Sequence, residues 1–160
     1  MIKIKNPFSL AGKDQSYNCF GCSPANNAGL HLQFWLNGKE LIAKWQPEKQ
    51  FEGWVGIVHG GIQATLMDEA AAWVVFVCLK TAGLTTELTT RYLKPVYIEN
   101  GQITIKATLL SVTRRVAQIA CTLEDGNGQL CATSKITYYC LPESIAREKY
   151  NYPGVDAFIG

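Results

Sequence analysis

From Ala70 to Leu79 the chain runs ten apolar residues without a break, and directly before them stand two carboxylates, Asp68 and Glu69. The run opens on Ile57-Val58-His59-Gly60-Gly61 and continues through Ile62 to Trp73. A helix that is apolar on every face belongs in an interior. Carboxylates are almost never fully buried unless something compensates them. Asp68 and Glu69 therefore border a water-accessible cavity or cost stability for a functional reason. The Gly60-Gly61 step at the helix start leaves backbone N–H groups open to an oxygen ligand. An acid with exposed amides points to hydrolytic or acyl chemistry. The plainer reading is a glycine turn, a satisfied histidine and two surface acids, and the apolar run argues against it.

Such a helix needs a sheet around it, and the flanking sequence supplies strands. Leu30 to Leu36 alternates apolar and polar residues, Asn37-Gly38 signals a hairpin, and Leu41 to Trp45 is the returning strand. A loop from Pro47 to Gly56 leads into a helix expected from about Gly60 to Thr81, with Gly83 as its stop signal. Four further strands are expected: Leu84–Tyr92, Gln102–Val112, Val116–Glu124 and Gln129–Cys140, the last two joined by the turn Asp125-Gly126-Asn127-Gly128. Residues 1–29 read as an irregular lead-in. Residues 142–160 form a tail in which Glu143 to Tyr150 reads as a short helix. The class is α+β, a sheet of about six antiparallel strands curled around one buried helix, in a single domain spanning 1–160.

Charged residues make up only 18% of the chain, so part of its surface is expected to lie in a subunit interface. A net charge of +2 argues against nucleic acid and acidic membranes. The first twenty residues lack the apolar core of a signal peptide, and the unbroken apolar stretch is too short for a membrane span. A cytoplasmic location is the expectation.

Cys19-Phe20-Gly21-Cys22 is the one Cys-x-x-Cys among six cysteines. No further ligands stand at zinc-like spacing, so all six read as reduced thiols, the first two packing a loop, with zinc as the lesser alternative. Neither a metal nor a cofactor is expected. Trp54, Trp73 and Phe76 read as core or interface, and His31 as structural.

Three segments together resemble the hotdog-fold acyl-CoA thioesterases, in particular the phenylacetate-pathway (PaaI-like) group. They are Cys19 to Leu32, Gly53 to Glu69 with its His59-Gly60-Gly61 centre, and Thr85-Thr86-Glu87 to Lys94-Pro95. With the later strands the resemblance covers roughly residues 18–140. It implies a hotdog fold, dimers or tetramers, and metal-free hydrolysis of acyl-CoA, with coenzyme A entering as part of the substrate. By the same resemblance Asp68 activates water or attacks directly, Gly60 or Gly61 polarises the carbonyl through N–H, His59 positions it, and Thr85 holds the water or the acid. Some relatives carry Asn where this chain has Gly53. A carboxylate can act as general base through one water, and preorganised N–H donors stabilise the oxyanion. Glu69 points about 100° away from Asp68; it is expected at a rim or interface beside a base, and is carried as a substrate contact. Arg91, Arg114 and Arg115, with Lys94 and Lys135, are expected to meet coenzyme A phosphates.

Two alternatives stand beside this reading. One is a hotdog dehydratase or hydratase, disfavoured because its histidine sits in a proline-containing loop, while here no proline lies between Pro47 and Pro95. The other is a non-catalytic acyl-CoA-binding module. His59 and Asp68 are about 13 Å and half a turn apart on one helix. Both therefore reach one thioester only if the site is shared between the subunits of a two-fold dimer.

Overall fold

The computed structural model describes residues 1–9 and 17–160. In chain order the elements are β1 (Ile2–Lys3), β2 (Gln33–Asn37), β3 (Glu40–Trp45), α1 (Gly60–Cys78), β4 (Gly83–Tyr92), β5 (Ile103–Thr113), β6 (Val116–Glu124), β7 (Leu130–Cys140), α2 (Glu143–Tyr150) and α3 (Asp156–Ile159). Short 3-10 turns lie at Pro7–Ser9, Lys49–Phe51 and Ile98–Asn100. All pairings are antiparallel, in the order β1-β2-β3-β5-β6-β7-β4. This is the expected α+β hotdog, with seven strands among the described residues rather than about six. The extra strand, β1, pairs Ile2 with Leu36, so the lead-in is less irregular than its composition implies.

Local chemistry sets most boundaries. The first hairpin turns on Gly38-Lys39, one residue later than Asn37-Gly38, with Gly38 at φ +62°. Gln33 opens β2 later than the alternation implies, because His31 adopts a left-handed φ of +57°. α1 ends at Cys78, not near Thr81, and Lys80 takes the left-handed position assigned to Gly83. Gly83 instead starts β4, where a Cβ would stand 3.2 Å from the Tyr139 carbonyl oxygen and 3.3 Å from Val75 Cγ1. Close strand-to-helix approach is what requires glycine there.

α1 is enclosed from two sides. On one, Leu66, Met67, Ala70 and Val74 pack against the sheet residues Ile105, Ala107, Ile119, Leu123 and Ile136 in one buried cluster. On the other lie the chain's two ends. Phe8 contacts Phe76 and Phe158, Trp73 meets Phe158 edge-on at 5.5 Å, and Tyr152 donates from its hydroxyl to the Phe76 carbonyl at 2.7 Å. Trp73 also stacks on Phe34 at 4.0 Å. The helix is thus apolar all round because lead-in and tail cover the face that the sheet leaves open. Burying each such aromatic stabilises the fold by about 2–3 kcal/mol. By length and composition α1 also qualifies as a membrane span, although its longest unbroken apolar run is shorter; in this fold sheet and termini enclose it. Trp54 lies outside the core, 83% exposed, which leaves the interface half of its expectation.

Candidate active site

Asp68 lies in the middle of α1 on the side facing the junction of β4 and β7. Its Oδ1 accepts hydrogen bonds from Thr85 Oγ1 at 2.9 Å and from the Tyr138 hydroxyl at 2.6 Å. The same hydroxyl lies 2.7 Å from the Asp68 carbonyl oxygen. The strands account for this placement. Thr85 and Tyr138 are direct partners in the β4–β7 register, just before the bulge at Thr85/Glu87, so both hydroxyls reach the helix from adjacent strands. Burial, reinforced by the adjacent Asp68 carboxylate, pushes the Tyr138 phenol above its usual range, so it stays a proton donor. Oδ2 of Asp68 has no protein donor among the described residues. The arrangement fixes the carboxylate rotamer through one oxygen and leaves the other for water.

At the start of the helix His59 is the N-cap, and its Nδ1 accepts from the Gly61 N–H at 2.9 Å. That bond takes Gly61 out of the pool of free donors. The Gly60 N–H, at the first helical position, has no acceptor among the described residues. Of the two glycines named from sequence, Gly60 is therefore the one with a donor to offer. Tyr92, at the far end of β4, donates to the Gly60 carbonyl at 2.6 Å and pins the turn. A Cβ on Gly53 would lie 3.3 Å from His59 Cα, so glycine lets the loop close against the histidine. Gln50, Phe51, Glu52, His59, Gly61, Ile62 and Thr65 line an open cleft of about 340 Å³ beside this turn.

The two halves do not meet within one chain. Asp68 is absent from the cleft lining, which ends at Thr65. Gly61 and Asp68 do share a helix face, since seven residues make nearly two turns, but they stand about 10 Å apart along the axis. The half-turn offset applies to His59 alone.

The remaining expected contacts separate further. Arg91 is opposite Thr133 on β7, while Val116, which follows the Arg114-Arg115 turn, is opposite Tyr139 via β6. Six residues of strand are about 20 Å, so these exposed arginines do not form one patch in the chain. Glu69 corrects its expectation outright. Its carboxylate faces inward, and among the described residues no base bonds to it. It is partly buried against the Cys-x-x-Cys loop, accepting from the Trp73 indole N–H at 3.1 Å, with Cys19 Sγ at 3.5 Å. Burial, with Cys19 close by, raises its pKa to about 7.

Sequence reasoning overlooked Tyr138 and Tyr92. Tyr138 had a signal: it continues the alternation Ala132, Ser134, Ile136 of β7, and a tyrosine on a buried face needs a partner for its hydroxyl. Tyr92 had none, because its contact depends on how far β4 runs back along the helix.

Comparison with known proteins adds to this geometry. Residues 55–132, from the loop before α1 into β7, match the family model described as Thioesterase superfamily. A candidate esterase of Saccharolobus solfataricus is 31% identical over 90 residues, which are 56% of this chain and 59% of that protein. The match thus spans about three fifths of the curated relative's length. Among solved structures, a thioesterase from Haemophilus influenzae is similar with TM-score 0.65 and 18% identity, over 70% of this chain and 79% of that one. A protein of Streptococcus mutans, solved bound to acetyl CoA, gives TM-score 0.64 at 18% identity, over 70% and 90% of the respective chains. Likeness at that identity shows the fold, and it is the hotdog fold of the thioesterase neighbours.

Proposed function

We propose that the chain hydrolyses acyl-CoA thioesters as a member of the PaaI-like group of hotdog thioesterases. The observation that carries this reading is the Asp68 carboxylate, held through Oδ1 by Thr85 and Tyr138, with Oδ2 and the first N–H of the helix both without a partner among the described residues. The family match at residues 55–132 and the acetyl CoA bound to a fold neighbour support the substrate class. Asp68 takes a proton from water as the oxygen bonds to the thioester carbon. Gly60 N–H receives the oxyanion. The intermediate then collapses, the C–S bond breaks, and the proton returns to the coenzyme A sulfur. No metal or cofactor enters this chemistry, and a cytoplasmic location suits the substrate.

The site is proposed to form across a two-fold dimer, with the Gly60 turn and cleft from one subunit and Asp68 with Thr85 from the other. β4 supports this: it is a sheet edge of ten residues, exposed along most of its length and carrying no proline. A long unprotected edge invites pairing with another chain. Leu84, Tyr92 and Leu93 add exposed apolar surface there. Pairs of dimers then give a tetramer.

Release of free thiol from a panel of acyl-CoAs tests the activity. Asp68→Asn and Gly60→Pro test the sharing. Proline is favoured at the first helical position, and His59 already has the extended ψ of 135° that a following proline requires, so the second variant removes the N–H and keeps the helix. Each variant alone is expected to be inactive, and a mixture with exchanged subunits to regain activity through one intact site. A fully active monomer, or no regain despite proven exchange, overturns the shared site. Absence of thiol release across the panel overturns the activity.

A further inference from the structure

The Cys-x-x-Cys dismissed on spacing acquires a third donor in the fold. Cys19 Sγ, Cys22 Sγ and a Glu69 carboxylate oxygen all lie within 4.8 Å of one another. Cys19 Sγ is 3.5 and 3.6 Å from the two oxygens of Glu69, which is 50 residues away in sequence. The edge between a sulfur and an oxygen on tetrahedral zinc is about 3.5 Å, given Zn–S near 2.3 Å and Zn–O near 2.0 Å. The expectation that no set of three ligands exists therefore fails. It counted neighbours in sequence, and the third donor comes from the core helix.

The surroundings are built for this meeting. The loop closes on itself through Ser23 N–H to the Cys19 carbonyl, 3.0 Å, and Leu32 N–H to the Gly21 carbonyl, 3.0 Å. A Cβ on Gly21 would lie 2.5 Å from the Glu69 carboxyl carbon, so a side chain there would displace the carboxylate from its present place beside the thiols. The Trp73 indole orients that carboxylate, and the Tyr17 hydroxyl lies 2.8 Å from Cys22 Sγ. These are the outer contacts that hold metal ligands in place. Charge balance points the same way. Three groups that can each carry a negative charge converge at a partly buried point. Among the described residues no lysine, arginine or histidine bonds to any of them. Among the described residues the cluster meets no cation, and a partly buried charge left without one is costly.

We propose that Cys19, Cys22 and Glu69 hold a zinc ion, with water in the fourth position, that fastens the lead-in to α1. The ion stands apart from the hydrolytic chemistry, because Glu69 points away from Asp68 around the helix. It joins the Cys19–Cys22 loop to α1 through coordinate bonds where the two otherwise meet through the Cys19–Glu69 contact of 3.5 Å.

The experiment uses the full chain, stripped with a chelator under reductant and titrated with zinc against a chromophoric competitor. One equivalent is expected to bind, and cobalt in its place is expected to give a thiolate charge-transfer band. Zinc is expected to shield Cys19 and Cys22 from alkylation, mapped by mass spectrometry, until chelator is added. Glu69→Gln keeps both thiols and is expected to weaken zinc at least tenfold, and replacing both cysteines with serine to abolish binding, with circular dichroism checking that each variant is folded. Absence of stoichiometric binding by the reduced protein overturns the proposal. So does unprotected alkylation in zinc, or a Glu69→Gln chain that binds as tightly as the parent.

Discussion

Asp68 looks across α1 at the hydroxyls of Thr85 and Tyr138, whereas Glu69, one residue on, looks at the thiol of Cys19 and the indole of Trp73. The helix turns both carboxylates inward, about 100° apart, so they sample different walls of the same fold. The wall facing Asp68 offers two O–H donors to one carboxylate oxygen and none, among the described residues, to the other. The wall facing Glu69 offers one N–H and two sulfurs, and burial disfavours its charge. The same side-chain chemistry thus sits against hydroxyl donors at one position and against thiols at the next. What an acid can do here is decided by the donors opposite it.

The largest expected effect is on the Asp68 side. Asp68→Asn preserves the oxygen that accepts from Thr85 and Tyr138 but removes basicity. Thiol release from acyl-CoA is expected to fall by roughly two or more powers of ten, the scale of general-base catalysis, with the melting transition retained. Near-normal turnover would break the comparison, since Asp68 would then be no more an acceptor than Glu69.

Tyr138→Phe comes next. It deletes a buried donor shared by the carboxylate and the helix carbonyl, at about 1–3 kcal/mol in stability. Denaturant unfolding measures that loss, and turnover is expected to drop about tenfold as the carboxylate loses its fixed rotamer. Thr85→Ala is milder, because Thr85 is exposed and water can replace its hydroxyl. Turnover lowered about threefold, with stability changed by under ~1 kcal/mol, is the expected result. An effect exceeding that of Tyr138→Phe would reverse the roles of the two hydroxyls.

The smallest effect is the one whose sign matters most. Above neutral pH, Glu69→Gln is expected to raise the melting temperature of chelator-treated protein by roughly 2–4 °C, the shift that ~1 kcal/mol gives at this size. In zinc-loaded protein the same substitution is expected to lower it. Equal shifts with and without zinc would mean that the carboxylate needs no cation.

Particular residues mark how far the sequence could be read. The helix, the strands from Leu84 onward and the Asp125–Gly128 turn were legible because each depends on local periodicity or turn chemistry. The start of β2 and the end of α1 were not, because His31 and Lys80 take left-handed conformations that glycine signals do not mark. The contact of Thr85 with Asp68 was expected only through the resemblance, not from any local pattern. Tyr138 entered the site only through the β4–β7 register. The arginines were grouped by type and are spread by topology.

The sequence by itself determined that one apolar helix lies at the centre of a wrapped sheet, since ten consecutive apolar side chains and alternating strands leave few other ways to exclude water. It also determined that the acids on that helix must be accounted for. Tertiary structure alone decided how. It brought the two chain ends over the helix face that the sheet leaves bare, set two hydroxyls against Asp68 and set two thiols against Glu69. Partners 17, 50 and 70 residues away leave no periodic trace in the chain. A hydrogen bond or a ligand edge depends on the approach of two surfaces, and only the folded register fixes that distance.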